Sequence, residues 1–508
     1  MLVRWVGAGI AALVVWSTAG ALYAHDSGLG IVRYNPDGSL DAGFGRGGVV
    51  AERTPQGGLS PEALVIQADG KAVLGGTASD LATAAVGFGL ARYNADGSLD
   101  SGFGAGGRVL TRVGAATAEA HALALQADGT ILVAGSAFGS DAGSVSNFAV
   151  ARYAPDGSLD RGFGAGAGAV LTPIAPSGAE ARAVVLQSDG RIVVGGTTFA
   201  TGSMNDGLAL ARYNLDGSLD SGFGSGGSVI TTFDTSGAEP GSSPFRMAAL
   251  VVQPDGKLVA IGSIGGHQGA FALARYLPNG DLDAAFGSRG MAITRRDAST
   301  QAYAAAAQPD GKIVVGGGVG AANENLAFGV ARYAPSGDLD PSFGSGGFVM
   351  TAFPGGGSGA HAVSVAADGA VVAAGSGYVS TVPPQQTGSG QGPVNGGFAV
   401  ARYLPNGAPE AGFGKRGVVV TTVGDAGSTP AAVAIQPDGK LVVAGLTYFL
   451  VPTPTEDRIS FNVLLILAVV GLLLLLLGAV VFRLWRRHSA RSAGSRIGAT
   501  PGVWRSRQ

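Results

Sequence analysis

The chain has no cysteine, which excludes a disulfide framework, a thiolate metal site and a cysteine nucleophile. Charge is scarce, with 33 basic and 35 acidic groups in 508 residues, and no long heptad pattern is present. No GxSxG elbow, HExxH helix, phosphate loop, EF-hand loop or GGxGxDx nonapeptide occurs, so no familiar catalytic or calcium-binding motif is available. The charge is also uneven. The first 24 residues hold only Arg4, and the stretch from Arg483 to the end holds seven arginines and no acid. Residues 25–482 therefore carry 25 basic and 35 acidic groups, a net of −10. An acidic body repels phosphate backbones and argues against a nucleic-acid partner.

What the chain has instead is glycine, 88 residues of it, and one phrase written seven times. The phrase reads RYNPDGSLDAGFG at 33–45, RYNADGSLDSGFG at 92–104, RYAPDGSLDRGFG at 152–164 and RYNLDGSLDSGFG at 212–224. It returns as RYLPNGDLDAAFG at 275–287, RYAPSGDLDPSFG at 332–344 and RYLPNGAPEAGFG at 402–414. The arginines are spaced by 59, 60, 60, 63, 57 and 70 residues. A period of this size marks an array of one supersecondary unit that must stack to bury its apolar faces.

Each period holds four strand signals. After Arg92 they are 106–111 (GGRVLT), 120–126 (AHALALQ), 130–135 (TILVAG) and 147–153 (NFAVARY), read as the first to fourth strands of one blade. Asp-Gly turns join the second and third at Asp69, Asp128, Asp189, Asp255, Asp310, Asp368 and Asp438, because glycine takes positive φ at little cost. The second strand is apolar on both faces and fixes alanine at Ala63, Ala122, Ala183, Ala249, Ala304, Ala362 and Ala432, as a sheet covered on both sides requires. The array begins with a lone fourth strand at 29–34 and ends after a third strand at 440–445. Nothing is left unpaired only if the amino-terminal strand completes the last blade. This predicts an all-β chain, a seven-bladed β-propeller of four-stranded blades closed by its N-terminal strand, with one C-terminal transmembrane helix. Closure also removes exposed sheet edges.

The 60-residue period, the RY-x-x-DGSLD-x-x-FG phrase and the Q-x-DGK hairpin resemble the delta-60 repeat family of bacterial β-propellers, over about 420 residues. The resemblance implies a propeller. It implies no assigned biochemical activity and carries over no catalytic residue.

Within the phrase, one acidic position varies: Asp37, Asp96, Asp156 and Asp216 give way to Asn279, Ser336 and Asn406, which fits a turn. The other keeps a carboxylate in every copy, eight residues after the arginine. The pairs are Arg33 with Asp41, Arg92 with Asp100, Arg152 with Asp160, Arg212 with Asp220, Arg275 with Asp283, Arg332 with Asp340 and Arg402 with Glu410. We read them as bidentate structural clamps across a turn between blades, in preference to seven calcium sites. The Phe of the phrase, Phe44 to Phe413, reads as a core anchor.

Antiparallel order puts the Asp-Gly hairpins and the phrases on one face and the variable loops on the other. Candidate ligand-binding residues on the variable face are Glu62, His121, Arg182, Tyr303 and His361, which stand five residues before the Gln position, with His267 and Tyr378 in loops. The plainer reading of the strand residues is solvated strand ends. His121 and His361 fall in the second and sixth blades, too far apart to share a metal. No catalytic residue, metal or cofactor is expected. The reading is a non-catalytic binding or scaffold propeller for envelope proteins or glycans. The alternatives are a hydrolase or lyase acting on a carbohydrate or lactone, and a mechanical or surface-layer role.

The ends of the chain complete the expected topology. Residues 1–24 have the pattern of a secretory signal, cleaved after Ala21 or Ala24, with an uncleaved anchor as the alternative. The propeller spans 25–450 and a Pro-containing stalk 451–462. Residues 463–482 are twenty without a charge, long enough to span a bilayer, and Arg483, Arg486 and Arg487 mark the cytoplasmic side. The basic tail 483–508 then lies inside the bacterial cytoplasmic membrane and the propeller outside it. A sorting tail that is cut off is disfavoured by the absence of an LPxTG-type motif.

Overall fold

The computed structural model describes residues 25–54, 57–80, 82–139, 145–199, 207–233, 245–265, 269–296, 298–320, 327–353, 357–378 and 396–450, together with Leu477 and Arg483. The expected signal, stalk, membrane span and basic tail lie outside the described residues, apart from Leu477 and Arg483, which are helical.

Residues 25–450 form seven antiparallel four-stranded sheets. Blade 1 runs from the inside outward as Gly57–Ile66, Ala72–Asp80, Ala85–Tyr93 and Arg108–Thr111. Blades 2 to 6 repeat this order, with innermost strands Ala118–Leu125, Ala179–Leu186, Arg246–Val252, Ser299–Ala307 and Gly357–Val365. Blade 7 is composite. Ser428–Ile435 and Leu441–Leu450 come from the end of the array, and His25–Tyr34 and Val49–Arg53 from its start. Gly30 faces Gly445 and Tyr34 faces Leu441, so the N-terminal strand pairs with the 440–445 segment. Neighbouring innermost strands contact one another around the full circle, Ser428–Ile435 against Gly57–Ile66 included.

The grouping of strands corrects the sequence reading. Segment 106–111 does not open a blade; Arg108–Thr111 pairs with Ala85–Tyr93 and closes the blade before it. The phrase between them is therefore a turn within a blade, not between blades. Its backbone forces this: Asp100 N–H donates to Arg92 O at 2.9 Å and Arg92 N–H to Gly107 O at 3.1 Å, folding the chain straight back. Two N-terminal strands rather than one consequently complete blade 7.

Between blades lie seven apolar layers. One packs Val73 and Leu90 of blade 1 against Ile131, Val133, Ala149 and Tyr153 of blade 2, all buried. The second and third strands of each blade are covered on both faces, which is why they read as continuous apolar runs such as Ile131–Ala137. The tyrosine of each phrase is buried, and its hydroxyl reaches the preceding blade's outer strand: Tyr213 donates to Thr172 Oγ1 at 2.7 Å and Tyr34 to Thr421 Oγ1 at 2.8 Å.

The phrases link blades as well as turning within them. Arg33 Nε donates to Asp41 Oδ2 at 2.7 Å, and the matching distances in the other blades run from 2.6 Å at Arg402–Glu410 to 2.9 Å at Arg275–Asp283. The geometry is not the expected two-oxygen fork. Oδ2 takes the arginine, while Oδ1 accepts a backbone N–H two residues on, as from Gly43 at 3.0 Å. Five blades add a second cation from the hairpin, Lys440 on Asp41, Lys71 on Asp100, Arg191 on Asp220, Lys257 on Asp283 and Lys312 on Asp340. In the first six phrases the guanidinium also lies over its own phrase's phenylalanine, 4.6 Å from the ring centre for Arg33 over Phe44, and donates to a carbonyl of the next phrase, Ala95 O for Arg33. These contacts occupy the arginine on every side and fix the hairpin face.

Candidate functional site

Every innermost strand skips a residue at the same place in its pairing with the second strand, and blade 6 has a further shift between Gly357 and Ala360. The skipped residues are Glu62, His121, Arg182, Ala248, Tyr303, His361 and Ala431. A bulge sets two residues against one and re-aims the extra side chain. The position that varies in the sequence is thus the one the backbone turns out of the sheet. The partner strand accommodates it with glycine. A Cβ on Gly135 would collide with Glu119 O and one on Gly196 with Glu180 O, and Gly76, Gly262, Gly317, Gly375 and Gly445 stand in the same relation to their own blades.

Blades 1 to 3 bring three of these residues, Glu62, His121 and Arg182, together with two more carboxylates, Glu119 and Glu180. His121 has a side chain only 5% exposed. Its Nδ1 lies 2.7 Å from Glu62 Oε2 in blade 1, and its Nε2 lies 3.2 Å from Glu180 Oε1 in blade 3 and 3.9 Å from Glu119 Oε2. Arg182 Nη2 pairs with the same Glu180 oxygen. Burial opposes a proton on His121, but the carboxylates of Glu180 and Glu62 outweigh it and raise its pKa to about 9. Burial likewise opposes ionisation of Glu180, and its contacts with His121 and Arg182 hold its pKa below the usual range. These carboxylates favour the protonated imidazole in the absence of a bound cation.

Blades 4 to 6 present a different chemistry. The Tyr303 and His361 rings lie 4.9 Å apart, inclined at 50°. Tyr303 Oη donates to Gln301 Oε1 at 2.9 Å. Burial raises the phenol's pKa, against the charge of exposed Arg246. Ala248 and Ala431 leave the belt low in blades 4 and 7.

Of the residues expected from sequence, Glu62, His121 and Arg182 meet in one cluster, and Tyr303 and His361 meet in another. His121 and His361 are not brought together. His267 lies outside the described residues. Tyr378 closes the strand Val371–Tyr378 and pairs with Gly396. Sequence reasoning missed Glu119, Glu180, Arg246 and Gln301, two residues before the bulge. The alternation Ala118-Glu119-Ala120 and Ala179-Glu180-Ala181 was the available signal, since a charge between buried alanines lies on the other face of its strand.

The family described as "Domain of unknown function (DUF5122) beta-propeller" matches at residues 19–44, 67–103, 126–163, 187–223, 253–286 and 308–343. These segments hold the first six copies of the phrase, short of its last glycine, and the five Asp-Gly hairpins between them. No curated protein sequence matches the chain. Among solved structures, a polysaccharide lyase of family PL25, an ulvan lyase, is 12% identical with a TM-score of 0.43, over 85% of this chain and 95% of that one. A protein of unknown function from Dyadobacter fermentans DSM 18053 is 11% identical with a TM-score of 0.39, over 65% of this chain and 93% of the other. A glucose dehydrogenase is 11% identical with a TM-score of 0.38, over 63% and 94%.

Proposed function

We propose that the chain is a membrane-tethered, extracytoplasmic propeller that binds an envelope protein or glycan without transforming it. The binding surface is the variable face, where the bulge residues meet the loops. The observation that carries this reading is the enclosure of His121. Its ring is buried with Nδ1 on Glu62 and Nε2 facing Glu180, so carboxylates of the protein and not a substrate occupy both nitrogens. The rest of the belt offers what a polar ligand needs: a guanidinium at Arg182, a phenol at Tyr303 and an imidazole at His361, raised on a rigid ring. Capture of envelope extracts and a glycan array by the detergent-solubilised full chain tests it. Binding that falls at least tenfold in Tyr303→Ala and Arg182→Ala supports the reading. Undiminished binding in both variants overturns the site.

The tether and the outward orientation rest on the uncharged run 463–482 and the arginines beyond it. Protease added to intact spheroplasts should digest the propeller loops and spare the tail, and a protected propeller refutes the topology.

The second reading, a hydrolase or lyase acting on a carbohydrate or lactone, is favoured by one feature, the phenol of Tyr303 beside the imidazole of His361. Turnover of a bound glycan or lactone that is lost in Tyr303→Phe would replace the binding reading with this one.

A further inference from the structure

The junction of blades 2 and 3 holds a set of donors that ligand binding at the rim does not use. His121 Nε2 is buried and makes no hydrogen bond, although two carboxylates face it at 3.2 and 3.9 Å. We propose that Glu119, His121 and Glu180 bind a divalent transition-metal cation of the zinc or manganese type.

Three lines of geometry and charge support the site. The donor atoms of the three residues all lie within 4.8 Å of one another. Tetrahedral zinc with bonds of about 2.0 Å separates its ligands by ~3.3 Å, so the two distances from Nε2 are close to what a shared cation requires. Glu62 accepts a hydrogen bond from Nδ1 at 2.7 Å, which fixes a proton there, so that Nε2, on releasing its own proton as the metal binds, offers its lone pair toward Glu180 and Glu119. This is the carboxylate–histidine arrangement that orients a metal-ligating imidazole. Finally, with His121 neutral the cluster has three carboxylates, Glu62, Glu119 and Glu180, against Arg182 on Glu180 and the more distant Arg246. The residual negative charge is offset either by a proton on Nε2 or by a cation in its place. One imidazole with two carboxylates favours zinc or manganese over magnesium. Glu119 is exposed, which gives the ion an entry path from the channel side.

The site shares Glu180 with Arg182 of the rim, but its test has its own readout. The detergent-solubilised full chain is stripped with chelator, dialysed against Zn2+, Mn2+ or Mg2+, and its metal content measured. One equivalent of Zn2+ or Mn2+ is expected, with Mg2+ not retained. Glu119→Gln, at an exposed position with little bearing on folding, should weaken binding at least tenfold while the metal-free melting temperature stays unchanged. Glu62→Gln should weaken it tenfold or more through the lost orientation of the imidazole. Failure to retain stoichiometric Zn2+ or Mn2+, or a Glu119→Gln variant that binds as tightly as the parent, overturns the proposal. Ligand capture measured on the same samples reports on the rim separately.

Discussion

Gly414 N–H donates to the carbonyl oxygen of Asp37 at 2.8 Å, joining the last phrase of the chain to the first. The same bond runs from Gly45 to Asp96, from Gly104 to Asp156, and onward through Gly164, Gly224, Gly287 and Gly344, so seven links make a closed circuit on the hairpin face. Gly414 to Asp37 is the link that no linear array has.

Deleting residues 25–36 should therefore open the ring at two places, at this bond and along the pairing of His25–Tyr34 with Leu441–Leu450. An unpaired second strand in blade 7 presents a flat apolar edge. Size-exclusion chromatography is expected to show larger oligomers or aggregate in place of the parent's elution peak. A monodisperse deletion variant with the parent's melting temperature would refute closure as a source of stability.

The clamps should not be equal. Arg332→Ala takes from Asp340, whose side chain is 9% exposed, its closest cation and removes the donor to Pro405 O, while Lys312 at 3.3 Å still offsets part of the charge; a loss of about 3 kcal/mol is expected, the low end for breaking a buried pair. Arg152→Ala should cost less, since Asp160 is 30% exposed and water replaces part of the contact. Asp160 also lacks the hairpin lysine, where Thr130 stands. Thr130→Lys should add a pair like Lys71 with Asp100 and stabilise by about 0.5 kcal/mol. Chemical denaturation of the three variants measures the order.

Acid should weaken the same ring. Burial opposes the charge on Asp340, but hydrogen bonds from Ser342, the ammonium of Lys312 and the guanidinium of Arg332 outweigh it and lower its pKa to about 2. Asp41, Asp100, Asp160, Asp220 and Asp283 are shifted the same way. A carboxyl with a folded pKa below its unfolded value contributes stability above about pH 4 and loses it as pH falls toward 2. Melting temperature should therefore hold down to pH 4 and drop below it, with a shallower fall in Asp340→Asn. A fall of the same steepness in that variant would show that Asp340 does not contribute.

Gly135→Ala tests the bulge. A methyl at that position meets the backbone of Glu119, which cannot retreat without altering the pairing beyond it. A cost of about 1–3 kcal/mol is expected, as for other overpacked sites, together with altered NMR shifts at His121. Gly106→Ala is the control, because its Cβ would meet no atom within 4 Å; its own cost comes only from the φ of +63°.

The seven-fold phrase, the Asp-Gly hairpins and the permuted strand count are enough to specify seven blades, the pairing of segment 29–34 with 440–445, and the two faces of the disc. They suffice because the information is local and repeated: strand period, turn chemistry and register are all written within one 60-residue unit. Two things were decided only in three dimensions. The strand after each phrase joins the blade before it, because the bonds between Arg92, Asp100 and Gly107 reverse the chain, and no local signal separates that from a turn between blades. The encounter of Glu62, His121 and Glu180 depends on residues 59 apart in sequence being adjacent around an axis. The sequence marks Glu62 and His121 as variable residues in their own repeats and does not single out Glu180. Ring closure then sets neighbouring bulges side by side, and that proximity makes a charge cluster at blades 1 to 3 and an aromatic pair at blades 5 and 6.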